Sequence, residues 1–310
     1  MVDLSTEFAG IKIKNPVMVA SGTFGFGEEV SEIFDLNLLG AIIVKGITLR
    51  PREGNKPPRI VETPSGLLNA IGLQNPGIKC FIDEKLPFLK RFNTPIIVNI
   101  SGYTEEEYVK LAKILNDAEG LSGIEVNVSC PNIKYKKGKI FAQDEKMVYS
   151  ITKKVKKVSK LPIMIKLSPD VTDIRIIAKA AEKGGADALS IMNTITGMAI
   201  DVNTKKPKLA NITGGLSGPA IKPIGVRCVW QVYNTVKIPI LGMGGIINEY
   251  DALEYIIAGA SAVSIGTASF IDPFVSLKVI KGIENYLIKN KISKIKKLVG
   301  SLIHEPFSSG

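Results

Sequence analysis

Histidine occurs once in this chain, tryptophan once and cysteine three times among 310 residues. So thin a supply of imidazole and thiol excludes several chemistries at the outset. Cys80, Cys130 and Cys228 are widely separated and form neither a CxxC pair nor a disulfide framework, a usage that fits the reducing cytoplasm. They cannot hold an iron–sulfur cluster alone, which takes about four thiolates. The single histidine, His304, stands near the C-terminus, so no imidazole is placed to support a nucleophile, and no metal site is expected. No run approaches ~18 uncharged apolar residues, so no membrane-spanning helix is expected. The start, Met1-Val-Asp-Leu-Ser-Thr-Glu7, carries an early acid and lacks the basic-then-apolar pattern of a signal peptide. No dinucleotide-binding fingerprint occurs either.

What is present in quantity is apolar residue, glycine and lysine. Hydrophobic residues make up 45% of the chain, enough to bury a large core, and the length suits a single α/β barrel. The net charge of +11 is mostly lysine, densest at Lys134–Lys139, Lys153–Lys157 and Lys289–Lys297. Such runs read as solvated helix faces rather than a nucleic-acid surface, although a field of this sign favours anionic ligands.

Short β-branched runs alternate with longer stretches of helical periodicity, the pattern of parallel strands joined by crossover helices. Eight strands are expected, at Val17–Ala20, Ala41–Val44, Ile96–Asn99, Ile124–Val128, Ile163–Lys166, Ala188–Met192, Ile238–Gly242 and Ala262–Ile265. Several follow a proline, which suits a strand's first position. Thr104-Glu-Glu-Glu107 has the form of a capping box opening a helix to Leu115. Asp144–Val158, Asp173–Lys183 and Asn248–Ala258 carry apolar stripes at helical spacing, with glycine just past the last two. Ser5–Lys14 alternates weakly and is expected to form a hairpin closing the barrel floor. The 50–80 segment shows no clear period, and loops of that length are usually functional. The fold class is therefore α/β, a single (β/α)8 barrel of the TIM type spanning residues 1–310. Cys80, Cys228 and Trp230, the last in a helix, are expected in the core.

The expected strand ends carry a consistent chemistry. They exit at Ser21-Gly-Thr23, Lys45-Gly46, Asn99-Ile-Ser-Gly102, Asn127 with Cys130, Lys166-Leu-Ser-Pro169, Asn193-Thr194, Gly242-Met-Gly-Gly245 and Gly266-Thr267. In a barrel these ends converge on one mouth, where catalytic residues gather. Two lysines, several amides, hydroxyls and a thiol would then surround one cavity, and buried groups of that kind need partners. The glycines after the last two strands make the phosphate site typical of barrels, and Gly214-Gly-Leu-Ser-Gly218 is placed to close over the same ligand. A phosphorylated ligand is implied, with its other end near Lys45, Lys166 and Asn127.

These residues resemble the dihydroorotate dehydrogenase family. The matching motifs are Ala20-Ser-Gly-Thr-Phe-Gly25, Val44-Lys-Gly-Ile-Thr48, Asn69-Ala-Ile-Gly-Leu-Gln-Asn-Pro-Gly77, Val126-Asn-Val-Ser-Cys-Pro-Asn132, Ile165-Lys-Leu-Ser-Pro169, Gly214–Gly218 and Gly242–Gly245. They follow one another along nearly the whole chain, and the look is that of the class 1B catalytic subunit, the NAD-linked two-subunit form. The resemblance implies that the phosphorylated ligand is FMN, held by Ser21, Lys45, Gly46, Asn99, Asn127, Lys166, Met192, Gly218, Gly244, Gly245, Gly266 and Thr267. The family usually has a small aliphatic residue where Met192 stands; a backbone contribution tolerates methionine. Dihydroorotate, the substrate, would meet Lys45, Asn69, Ala70, Ile71, Gly72, Leu73, Asn127, Asn132, Asn193 and Thr194.

The implied reaction removes a proton from C5 of dihydroorotate and a hydride from C6. A cysteine, with reference pKa ~8.5, is a workable base once lysine or backbone donors favour its thiolate. Cys130 is assigned that role, with residues 131–138 as a flap above it. The resemblance also implies a partner subunit carrying FAD and a [2Fe–2S] cluster, in a heterotetramer built on a homodimer of this chain, with neither nucleic acid nor membrane as partner. A fumarate-linked homodimeric relative, a tRNA dihydrouridine synthase-like flavoprotein and a non-redox phosphate-binding barrel stand as alternatives.

Overall fold

A computed structural model describes residues 2–129 and 140–303. The chain opens with a small antiparallel hairpin, β1 (Thr6–Phe8) and β2 (Ile11–Ile13). The first barrel strand, β3 (Val17–Val19), is followed by a short helix α1 (Glu28–Ser31) and then by β4 (Ala41–Ile47). An excursion above the barrel comes next, β5 (Ile60–Thr63) and β6 (Gly66–Asn69), with short helices α2 (Gly77–Cys80) and α3 (Leu86–Leu89) returning the chain. Regular alternation then runs through β7 (Ile96–Ile100), α4 (Glu105–Leu115), β8 (Gly123–Asn127), α5 (Glu145–Val158), β9 (Ile163–Lys166), α6 (Ile174–Lys183) and β10 (Ala188–Ile191). A second excursion holds β11 (Ile195–Met198), β12 (Ile200–Asp201), β13 (Lys206–Pro207) and β14 (Thr213–Ser217). Then follow α7 (Lys222–Tyr233), β15 (Ile240–Met243), α8 (Glu249–Ala258), β16 (Ala262–Ile265) and α9 (Val275–Lys289).

Eight strands close into a parallel barrel in the order β3-β4-β7-β8-β9-β10-β15-β16, with β16 pairing back onto β3 through Val263–Val17 and Ile265–Val19. All eight expected strands are present, within a few residues at their ends. The helices begin where short polar side chains satisfy free amides. Thr104, Asp144, Asp173 and Asn248 each accept a hydrogen bond from the first turn of α4, α5, α6 and α8. Glu107 reaches back to the amide of Tyr103, one residue before the cap. On α4 the buried face is Tyr108, Leu111, Ala112 and Leu115, the i, i+3, i+4, i+7 stripe that packs a helix against a sheet.

Successive side chains on a strand point to opposite faces, so each barrel strand shows one set to the helices and the other to the interior. The outward set is uniformly apolar, as in Ile96, Val98 and Ile100. The inward set changes along the axis. Its lower layer is apolar, with Met18, Ile43, Ile97, Met164, Ala188, Leu241 and Ala262 packed against Phe8, Ile11 and Ile13 of the hairpin. The hairpin closes the floor, as its alternation suggests. Two residues higher, β7, β9, β10 and β16 carry Asn99, Lys166, Ser190 and Ser264, and β8 adds Glu125 above Gly123, all buried.

Three expectations need correction. The 50–80 segment is not a bare loop: Ile60-Val61 and Leu67-Leu68 flank the turn Pro64-Ser65 and pair as β5 and β6. These strands join β11 and β14 in a four-stranded antiparallel sheet ordered β11-β14-β6-β5. Trp230 lies on α7 but is 37% exposed, because the stripe facing the barrel is Gly225, Cys228, Val229 and Val232. Cys80 is half-buried at the end of α2, whereas Cys228 is in the core. His304 and the 130–139 segment lie outside the described residues. Replacing Phe8 with alanine is expected to cost ~3–5 kcal/mol, since it empties the floor beneath a closed barrel; a lowered urea midpoint with an unchanged circular dichroism spectrum is the measurement.

Candidate active site

The C-terminal ends of the barrel strands surround one cavity of about 650 Å3, lined from above by residues of the four-stranded sheet. Along one wall stand Ser21 after β3, Lys45 and Gly46 in β4, Asn99 in β7, Asn127 at the end of β8 and Lys166 at the end of β9. Lys166 is buried, and its Nζ lies 3.4 Å from Ser21 Oγ and 3.7 Å from Glu125 Oε2. Asn99 Nδ2 donates to the same carboxylate oxygen at 2.5 Å. Lys45 is half-buried, and burial together with the nearby Arg59 guanidinium pushes its ammonium below the ordinary lysine value, against the opposing pull of Glu29. A cation held so is receptive to an anion, whose charge restores what burial removes.

The opposite end is built of glycine. Gly218, Gly244, Gly245 and Gly266 line the cavity with Thr267. Gly244 and Gly245 adopt φ of +120° and +73°, backbone that other residues rarely enter. A Cβ on Gly245 would sit 2.8 Å from the Gly218 carbonyl oxygen, so the two strand ends approach as closely as backbone can. Tyr255, on α8, holds this turn from beneath, its hydroxyl donating to Gly244 O at 2.7 Å. Burial pushes that phenol far above its ordinary range, keeping it a donor. Thr267 Oγ1 donates to Ser217 Oγ at 2.7 Å, pinning β14 to the turn after β16.

Between the two ends lie the amides. Asn69, the last residue of β6, donates through Nδ2 to Gly215 O of β14 at 3.2 Å. It begins the lining stretch Asn69, Ala70, Ile71, Gly72 and Leu73. That stretch is buttressed by Asn55, which donates through Nδ2 to Ala70 O at 2.8 Å and through its amide to Ile71 O at 3.0 Å. Met192, Asn193 and Thr194, after β10, line the cavity beside them. The structure thus brings every described residue of the expected cofactor and substrate sets to one cavity. Cys130 and Asn132 lie outside the described residues.

Sequence reasoning missed several neighbours. Ser129 is buried, its amide and hydroxyl donate to Asn127 Oδ1 at 3.2 and 2.9 Å, and its Oγ accepts from Asn193 Nδ2 at 2.7 Å. The residue before Cys130 is therefore tied to two of the expected substrate amides. Asp170 lines the rim and accepts from the amide and hydroxyl of Thr196. Arg52 lines it too, its guanidinium 4.7 Å from the Tyr103 ring centre. Glu125 had a visible signal: a carboxylate inside the apolar strand Ile124–Val126, where a charge is placed only with a partner.

The residues present fit a flavin mononucleotide. The positive-φ glycines leave backbone room for a phosphate, and the cavity is large enough for a ring system. Asn99 Oδ1 and the hydroxyl of Ser264, buried without a hydrogen-bond partner among the described residues, stand near its wall.

A family model described as dihydroorotate dehydrogenase matches residues 3–287. The chain belongs to the dihydroorotate dehydrogenase family. It is 54% identical over 301 residues to a protein of Thermoanaerobacter pseudethanolicus named dihydroorotate dehydrogenase B (NAD(+)), catalytic subunit, covering 97% of this chain and 99% of that one. A protein of Desulforamulus reducens with the same name is 55% identical over 300 residues, covering 97% and 98%. Among solved structures, a DHODH of Eimeria tenella in complex with ferulenol superposes with a TM-score of 0.80 at 24% identity, over 96% of this chain and 88% of that one. At that identity the likeness speaks for the fold. Gly245→Ala is expected to weaken FMN binding by tenfold or more, because left-handed backbone costs a residue with a Cβ ~1–2 kcal/mol and the turn must also open. Titration of stripped protein by flavin fluorescence measures it.

Proposed function

We propose that this chain oxidises (S)-dihydroorotate to orotate with FMN in the de novo synthesis of pyrimidine nucleotides (UMP), as the catalytic subunit of an NAD+-linked dihydroorotate dehydrogenase. One observation carries the reading: a glycine-built turn with room for a phosphate and a wall of lysines and amides share a single cavity at the mouth of a closed barrel. On this reading residues 1–310 form one FMN-binding domain. Ser21, Lys45, Gly46, Asn99, Asn127, Lys166, Met192, Gly218, Gly244, Gly245, Gly266 and Thr267 hold the cofactor. When bound, FMN supplies the two-electron sink that no side chain provides.

The chain's own residues do the rest. Lys45 faces the substrate carboxylate, and the stretch Asn69–Leu73 with Asn127, Asn132, Asn193 and Thr194 satisfies the ring carbonyls and N–H groups of a small planar pyrimidine. Cys130, as thiolate, takes the proton from C5; the electron pair left behind forms the C5–C6 double bond as the C6 hydrogen departs as hydride. Ser129, held by Asn127 and Asn193, fixes where the base begins. Binding the substrate excludes water from the thiolate and strengthens each of these contacts.

The names of the relatives support the NAD+ link and a separate electron-transfer subunit. We assign FAD and a [2Fe–2S] cluster to that partner, with two copies of this chain in a heterotetramer in the cytoplasm. The reading includes neither a membrane nor a nucleic-acid partner; among the described residues no helix is long and apolar enough to cross a membrane.

Anaerobic dihydroorotate is expected to bleach the flavin of the purified protein; reoxidation by fumarate without any partner would overturn the NAD+-linked reading. In Cys130→Ala the bleaching rate at neutral pH is expected to fall at least ~100-fold, the usual contribution of a positioned base, and a near wild-type rate would remove the thiol from that role. Lys45→Met is expected to weaken orotate binding about tenfold or more, since hydrogen bonds to charged groups contribute about 1.5–3 kcal/mol; equilibrium titration of the oxidised protein reads it.

A further inference from the structure

Glu125 takes no part in the chemistry above, yet it is completely buried beneath the cavity wall. It is the inward-facing residue of β8 two positions before Asn127, so strand alternation commits it to the barrel interior. One carboxylate oxygen is shared: Oε2 accepts from Asn99 Nδ2 at 2.5 Å and lies 3.7 Å from Lys166 Nζ. The other, Oε1, has no hydrogen-bond partner among the described residues. Asn99 and Lys166 line the cavity, whereas Glu125 stands behind them. Asn99 in turn aims Oδ1 at Gly46, where an added Cβ would come within 2.9 Å. The carboxylate therefore touches the ligand's neighbours and not the cavity.

We propose that Glu125 is a positioning residue that serves as the counter-charge of Lys166 and orients Asn99, and so sets how strongly the reduced flavin is favoured. This rests on the reading that FMN fills the cavity. A lone ammonium in the wall would stabilise the negative charge of a reduced flavin to the full; the carboxylate behind it tempers that field. Burial makes the pair matter, because charges out of water interact strongly and an isolated one is costly. Glutamine at 125 would keep a hydrogen-bond acceptor for Asn99 while deleting the charge.

The test is the midpoint potential of bound FMN in wild type, Glu125→Gln, Lys166→Met and the double variant. Glu125→Gln is expected to favour flavin reduction at least ~tenfold, about 30 mV upward for a two-electron couple. In the Lys166→Met background the same change is expected to produce no shift, since a buried carboxylate stripped of its counter-charge neutralises and leaves glutamine no charge to delete. An unchanged or lowered potential in Glu125→Gln, or an equal shift in both backgrounds, would overturn the proposal. Glu125→Asp retains the charge and is expected to stay within about threefold of wild type; a tenfold shift there would overturn it as well, even if the glutamine variant fails to fold. Wild-type protein that takes up no FMN would instead defeat the functional reading itself.

Discussion

The pairing of β16 back onto β3 is the constraint from which the rest of the molecule follows. Without that closure the eight strands would form an open sheet, with edges to protect and strand ends spread along a line. With it, every strand presents its C-terminal end to one ring, and side chains from residue 21 to residue 267 become neighbours. Closure also divides each strand's side chains into an outward set for the helices and an inward set that must fill a narrow interior. The hairpin at the N-terminus completes the lower part of that filling, and polar groups occupy the upper part.

The polar layer is therefore a property of the barrel rather than of its loops. Ile97 gives way to Asn99, Met164 to Lys166, Ala188 to Ser190 and Ala262 to Ser264, each two residues further along the same strand. Hydrogen bonds and one ion pair link parts of this layer, through Asn99, Glu125, Lys166 and Ser21. Groups seated on strands hold their places better than groups on loops, which makes the floor of the cavity its rigid part. The residues that line the cavity from above come instead from the two excursions, where composition can vary without disturbing the barrel.

Much of this was legible in the sequence, for identifiable reasons. Buried parallel strands leave β-branched runs, and Thr104, Asp144, Asp173 and Asn248 announce their helices because a free amide needs an acceptor. The strand exits stood out because lysine, asparagine and glycine interrupt apolar text. The roof did not stand out: β14 contains two glycines in Thr213–Ser217, and β5 is half exposed, so neither carries the hydrophobic signal of a core strand. Trp230 misled because a helix face is chosen by rotation about the axis, and here Cys228 and Val229 took the inner side. Glu125 was less legible because it sits inside β8, two residues short of the strand end where the other polar groups of the site lie.

The four-stranded sheet over the mouth has a mechanical consequence. Its central ladder pairs Gly215 of β14 with Asn69 of β6, and β14 runs on two residues to Ser217, next to Gly218. One end of a single hydrogen-bonded ribbon thus lies over the amide-rich part of the cavity and the other over its glycine cradle. Displacement of either end is transmitted along the ladder, so the two halves of the cavity cannot be resized independently. Variation in the loops after β4 and β10 must then arise in concert, and a chimera exchanging one excursion without the other would mismatch the ribbon.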